Sequence, residues 1–171
     1  MKNKNARSWK LEVGSRGFTL IELLVVISII GILATLLIAN MNATRARARD
    51  AQRKADLRNI QTALRIYFND NNKYPGSDGG QIKGCGEDGS ELCSWGGNFA
   101  SGGQTYMAIL PDDPSPDRDY LYTYDSNSLS YTLAACLENQ SDDKCMKDGE
   151  NIIDCSADWD LTSGCKYQVV P

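Results

Sequence analysis

From Phe18 to Ala39 the chain runs for twenty-two residues without Lys, Arg, Asp or Pro, and Glu22 is the single ionisable residue among them. At about 1.5 Å per residue, a helix of that length crosses a bilayer core. A carboxylate at membrane depth is costly, so Glu22 calls for a cationic partner or a function. Secretory signals have apolar cores of roughly 7–15 residues with the cut after them. The run here is longer than such a core, and a cut after Gly17 would fall ahead of it, which would leave the apolar helix on the protein. A signal anchor or a signal peptide in which Glu22 is incidental is the plain alternative.

The residues before the run carry Lys2, Lys4, Arg7, Lys10 and Arg16 against Glu12, five minus one, or +4. Such a leader is expected to stay on the cytoplasmic side. The stretch after the run is also basic, with Arg45, Arg47, Arg49, Arg53, Lys54, Arg58 and Arg65 against Asp50, Asp56 and Asp70. Orientation therefore does not follow from the Lys and Arg counts alone. From Pro75 onward five basic residues face seventeen acidic ones, a balance of −12. A basic stalk and an acidic head attract within a Debye length, which suggests contacts between staggered subunits, or simply two solvated surfaces. Alanines interleave the basic stretch at helical spacing and no aromatic joins it before Tyr67. Lipid phosphate is thus the expected neighbour and nucleic acid is not.

Leu57, Ile60, Leu64, Tyr67 and Phe68 recur at spacings of three and four, which predicts one helix from about Phe18 to Asn71. Asn69 to Asn72 and Pro75 end it. The Gly-, Ser- and Asp-rich segment from Gly76 to Gly103 reads as a loop. Strands are predicted at Tyr120–Tyr124 and Ser130–Cys136, joined by a turn at Asp125–Ser128, with a third at Lys166–Val170. The expected fold is α+β, with a small antiparallel sheet laid on the Ile60, Leu64 and Phe68 face.

The segment Ser15-Arg16-Gly17-Phe18-Thr19-Leu20-Ile21-Glu22-Leu23-Leu24 closely resembles the class III signal of type IV pilins and type II secretion pseudopilins. The resemblance extends from Arg16 to Tyr74. It implies cleavage between Gly17 and Phe18 by a prepilin peptidase and N-methylation of Phe18. It also implies that Glu22 sets subunit register in a homo-oligomeric helical filament. The expected organisation is a cleaved leader at 1–17, a transmembrane and assembly half-helix at 18–39, an amphipathic half-helix at 40–74 and a β-sheet head at 75–171, the pilin ladle. The chain would cross the inner membrane once with its head outside the cytoplasm, served by an inner-membrane assembly platform and a secretion ATPase. Leu110-Pro111-Asp112-Asp113-Pro114, ahead of a Tyr-rich strand, is similar to the Leu-Pro-x-Asp-Pro turn of the major pseudopilin. Two prolines also pre-set φ for any tight turn. Two other readings stay open on sequence alone: a minor, adhesive or DNA-uptake pilin, and a membrane-anchored surface protein that never polymerises.

All six cysteines, Cys85, Cys93, Cys136, Cys145, Cys155 and Cys165, fall in the head. An extracytoplasmic head implies disulfides, for which six cysteines allow fifteen pairings. Closeness in sequence favours Cys85–Cys93, then Cys136–Cys145 and Cys155–Cys165. The absence of histidine and of any C-x-x-C spacing argues against zinc. Without histidine the commonest general base is missing, and no enzymatic activity is expected. Asp112, Asp113, Asp117 and Asp119 form a cluster that reads as solvated or capping. The pseudopilin resemblance also implies a calcium loop, for which Glu138, Asn139, Asp142 and Asp143 are the candidates, although they lack the family's Gly-Asp-Gly character. No other cofactor is expected.

Overall fold

The computed structural model describes residues 17–127, 129–148, 151–152, 155 and 164–171, without the side chains of 36–40, 147–148 and 151–152. The leader expected at 1–17 lies outside the described residues except for Gly17. The chain divides into two compact units, Met1–Met41 and Asn42–Pro171.

Helix α1 runs from Leu20 to Asn71. In the first unit its side chains from Leu20 to Leu33 are exposed. Among the described residues no helix is long and apolar enough to cross a membrane. The span expected at Phe18–Ala39 includes positions whose side chains are outside the description, and the apolar side chains described in it stop before residue 36.

In the second unit α1 buries Arg53, Leu57, Ile60, Leu64 and Tyr67, one stripe at helical spacing. Asn72 ends the helix in the left-handed region at φ 53°, its N–H bonded to the Phe68 carbonyl at 2.8 Å. Ten strands follow. They are β1 (Gly76–Asp78), β2 (Gln81–Cys85), β3 (Glu91–Cys93), β4 (Phe99–Ser101), β5 (Gln104–Met107), β6 (Leu121–Asp125), β7 (Ser130–Leu137), β8 (Lys147–Asp148), β9 (Asn151–Ile152) and β10 (Cys165–Val169). The sheet predicted from sequence is present as β10-β7-β6, all antiparallel, with Tyr124 opposite Tyr131 and Tyr167 opposite Ala135. Its core residues Tyr122, Tyr131, Leu133, Ala135 and Leu137 join the buried stripe of α1 in one cluster. Phe68, expected on that face, is only half-buried, and Tyr67 takes the core position.

The segment Gly76–Gly103 is not a loop. It folds into the sheet β1-β2-β3, and β4 of this stretch pairs with β5. These strands are three to five residues long, and the large apolar side chains they bury fully are Ile82 from β2 and Phe99 from β4. Alternation over so few residues leaves no periodic signal. The turn between β1 and β2 places Gly80 at φ +82°, and its carbonyl accepts the Tyr122 N–H at 2.7 Å. A Cβ there would sit 2.6 Å from Leu121 Cδ1, a side-chain end that can shift, so it is the positive φ that favours glycine where this turn meets β6.

The disulfides are Cys85–Cys93, Cys136–Cys155 and Cys145–Cys165, enclosing sequence separations of 8, 19 and 20. The pairings Cys136–Cys145 and Cys155–Cys165 expected from nearness in sequence are therefore corrected. Register decides it: Cys165 lies opposite Leu137 and Lys166 opposite Cys136, so β7 and β10 run side by side. The turn after β7 then carries Cys145 back to Cys165, its course fixed by the Met146 N–H bonded to the Lys166 carbonyl at 2.8 Å.

Candidate functional site

Two clusters of chemically active side chains emerge, one at the start of α1 and one in the second unit. At the start, the Thr19 N–H and hydroxyl both donate to Glu22 Oε2, at 2.9 and 2.8 Å, and the Glu22 N–H donates back to Thr19 Oγ1 at 3.3 Å. Thr19-Leu20-Ile21-Glu22 is thus a capping box, with Thr19 as N-cap and Glu22 at the third helical position. The same carboxylate lies next to the positive end of the helix dipole. The sequence reading sought a partner for Glu22 in an ammonium and missed this local one, although the T-x-x-E spacing signals it. Phe18 beside it is 87% exposed, and a Cβ on Gly17 would meet nothing within 4 Å. The backbone at the expected cut is therefore accessible.

In the second unit the centre is Arg53, whose side chain is fully buried. Its Nε and Nη2 donate to the two carboxylate oxygens of Asp113 at 2.7 and 2.8 Å, a bidentate fork. Nη1 donates to Asp50 at 2.8 Å and to Glu138 at 2.9 Å, and Nη2 also donates to Ser115 Oγ at 2.8 Å. All five N–H groups of the guanidinium are satisfied. Asp50 accepts in addition the backbone N–H of Glu138 and of Asn139, both at 2.9 Å. Arg49 grips Glu138 with a second fork, at 2.7 and 2.6 Å, and Lys54 pairs with Asp142. Burial alone would lower the Arg53 guanidinium, but hydrogen bonds to Asp113 and Glu138 more than offset it and its pKa moves up. The Arg49 hydrogen bonds hold the Glu138 carboxyl down at about 2. Nearby, the Tyr120 hydroxyl donates to Asp56 at 2.8 Å, and burial pushes both groups up.

These pairs alter two sequence expectations. Asp113, read as a solvated turn acid, is buried and salt-bridged, and it also accepts the Ser115 N–H at 2.8 Å. Part of the attraction between basic stalk and acidic head is satisfied within one chain, by Arg49, Arg53 and Lys54. The calcium set does not fit its ligand. Glu138 is held by two arginines and Asp142 by Lys54, Asn139 Oδ1 accepts the Ser141 N–H at 3.3 Å, and Asp143 lies against Lys144 at 3.6 Å. Among the described residues no three His, Cys, Asp or Glu converge as a metal site. Cations already present in the sequence neutralise the carboxylates that an ion would need.

Comparison with known proteins agrees with the start of α1. Residues 14–38 match the prokaryotic N-terminal methylation motif. The chain is 40% identical over 65 residues to the type II secretion system core protein G of Pectobacterium carotovorum, covering 38% of this chain and 42% of that protein. It is 42% identical over 60 residues to the type IV major pilin protein PilA of Myxococcus xanthus, covering 35% and 27%. The chain thus spans less than half the length of both relatives. With the type II secretion system core protein G of Klebsiella pneumoniae it shares 35% identity over 99 residues, 58% of this chain and 68% of that one. No solved structure matches the chain at the same stringency. The long match to the Klebsiella protein, together with the methylation motif, shows that the chain belongs to the type IV pilin-like proteins, in the family of the type II secretion system core protein G.

Proposed function

We propose that this protein is a structural subunit of a type II secretion pseudopilus or a closely related type IV pilus. It is held in the inner membrane by Phe18–Ala39 with its head outside the cytoplasm, and is drawn from there into a helical filament. A prepilin peptidase removes the leader after Gly17, Phe18 is N-methylated, and the assembly platform and secretion ATPase drive polymerisation. The work is mechanical and no catalysis is involved. The observation that carries this reading is the start of α1, an exposed apolar helix opened by a carboxylate in a segment that matches the methylation motif. In the filament, the Phe18 ammonium of an adjacent subunit would reach Glu22 and fix the axial offset, because an unpaired carboxylate in apolar surroundings is unfavourable.

The test separates capping from register. Gln at the third helical position preserves a capping box but carries no charge. Glu22→Gln and Glu22→Ala chains should both insert, lose the leader and fold their heads, and both should be missing from filaments sheared off the cells. Intact mass reports the processing: N-methylated Phe18 is the expected first residue. Filaments of Glu22→Gln as abundant as wild type would rule out the charge as the register device. A mature chain that retains its leader would end the pilin reading altogether.

A further inference from the structure

Where α1 enters the second unit, the fold builds a basic groove of about 520 Å³ in which Asn42, Arg45 and Arg49 from α1 meet Arg118 and Glu138 from the head. The single carboxylate is already held by Arg49 and Arg53. Arg118 is half-buried, and its Nη1 donates to the Cys136 carbonyl at 3.2 Å and lies 3.6 Å from Cys136 Sγ. Arg45 is exposed. Among the described residues neither arginine has a carboxylate within salt-bridge distance. Two guanidinium groups from parts of the chain more than seventy residues apart thus line one groove, neither of them salt-bridged among the described residues.

We propose that this groove binds the phosphate of a phospholipid headgroup, an inference that rests on the membrane-held subunit described above. Arg45 is the first charged residue in the chain after Glu22. A charge is costly at the centre of a bilayer, so whatever length of α1 the hydrocarbon holds must end before Arg45. The groove therefore begins where headgroups begin. The planar fork of arginine matches the oxygens of a phosphate, and an anionic leaflet attracts basic residues beside a membrane helix. Asn42 adds an amide donor at the groove's edge. The acidic head of a second copy is the competing occupant, but a subunit stored in the membrane meets lipid phosphate at far higher local density.

The probe is dioleoyl-phosphatidylglycerol, titrated onto the full chain in detergent micelles and read by native mass spectrometry, with dioleoyl-phosphatidylcholine and inorganic phosphate as further arms. Each basic residue at an anionic surface is worth about a fivefold factor in partitioning. The Arg45→Gln/Arg118→Gln chain should hold phosphatidylglycerol roughly thirtyfold more weakly, while Arg45→Gln alone should lose about fivefold. Arg65→Gln/Lys73→Gln, which removes the same charge from exposed sites elsewhere, should retain wild-type binding. Unfolding midpoints and thiol counts verify that each variant folds. Equal loss in both double variants, or loss in neither, overturns the site. Full displacement of lipid by inorganic phosphate overturns the lipid in favour of a free anion. Loss of paired chains in Arg45→Gln/Arg118→Gln with lipid retention intact assigns the groove to a second copy instead. A wild-type chain that enters filaments but does not prefer phosphatidylglycerol over phosphatidylcholine sinks this inference alone, whereas an uncleaved leader sinks the reading beneath it.

Discussion

Arg53 illustrates how far one residue can be decided by its surroundings. In sequence it is one of seven basic residues in a run interleaved with alanine, and a solvated helix face is the ordinary expectation for such a run. In the fold it is buried, with three carboxylates around it. Removing one partner of a buried ion pair leaves the others uncompensated, typically at about 3–5 kcal/mol. Arg53→Met is expected to destabilise the head on that scale, as read by chemical denaturation of the full chain in detergent. Arg53→Lys should recover only part of the loss, because an ammonium cannot make the two-pronged contact with Asp113. Glu138 supplies the pH dependence. Its pKa falls from an ordinary 4.5 to about 2 in the folded state, so the unfolded chain takes up the proton first. Its contribution is whole above about pH 4.5 and is lost as the pH falls toward 2. The denaturation midpoint should drop across that window, and Glu138→Gln should flatten the drop. An unchanged acid profile in Glu138→Gln would show that other carboxylates control it.

Among the elements, those with a long repeat were legible and those without one were not. The helix from Leu20 to Asn71 and the strands β6, β7 and β10 announce themselves by periodicity and Tyr, Val and Leu content. The strands β1 to β5 were hidden because each is short and polar, and their pairing is made by turns whose glycines adopt positive φ, Gly79 and Gly80 in one and Gly102 and Gly103 in another. The approach to β10 carries a comparable constraint. Gly164 has φ +121°, and a Cβ there would come within 2.7 Å of both Cys136 Sγ and the Leu137 carbonyl. Gly164→Ala is expected to displace β10 from β7 and open the Cys136–Cys155 bridge to reductant. Alkylation of the native protein under mild reduction should label these two cysteines ahead of Cys85 and Cys93. Labelling in the wild-type order would show that the backbone absorbs the extra methyl.

Over the whole molecule, the head is closed by disulfides whose loops interlace, since the 145–165 bridge begins inside the 136–155 loop. On chain-entropy grounds, loops of about twenty residues contribute roughly 3 kcal/mol each. Non-reducing peptide mapping should recover Cys136 with Cys155 and Cys145 with Cys165. Recovery of Cys136 with Cys145 would contradict the β7–β10 register. Full reduction should lower head stability by several kcal/mol, a large fraction of the total for a domain this size.

The sequence by itself determined the apolar segment with its lone carboxylate, the continuous helix, the strands β6, β7 and β10 one by one and the family, because each is carried by residues within a few positions of one another. The T-x-x-E capping box belongs to that class too, although it was overlooked. Only the tertiary structure decided which cysteines pair, why the calcium candidates are unavailable to an ion and which arginines are buried. Those outcomes join residues 60 to 89 positions apart, such as Arg53 with Asp113 and Arg49 with Glu138, or depend on strand register. Charge and thiol chemistry say that such groups will find partners. Which partner each finds is set by the packing of apolar side chains around them, and no local pattern in the chain encodes that distance.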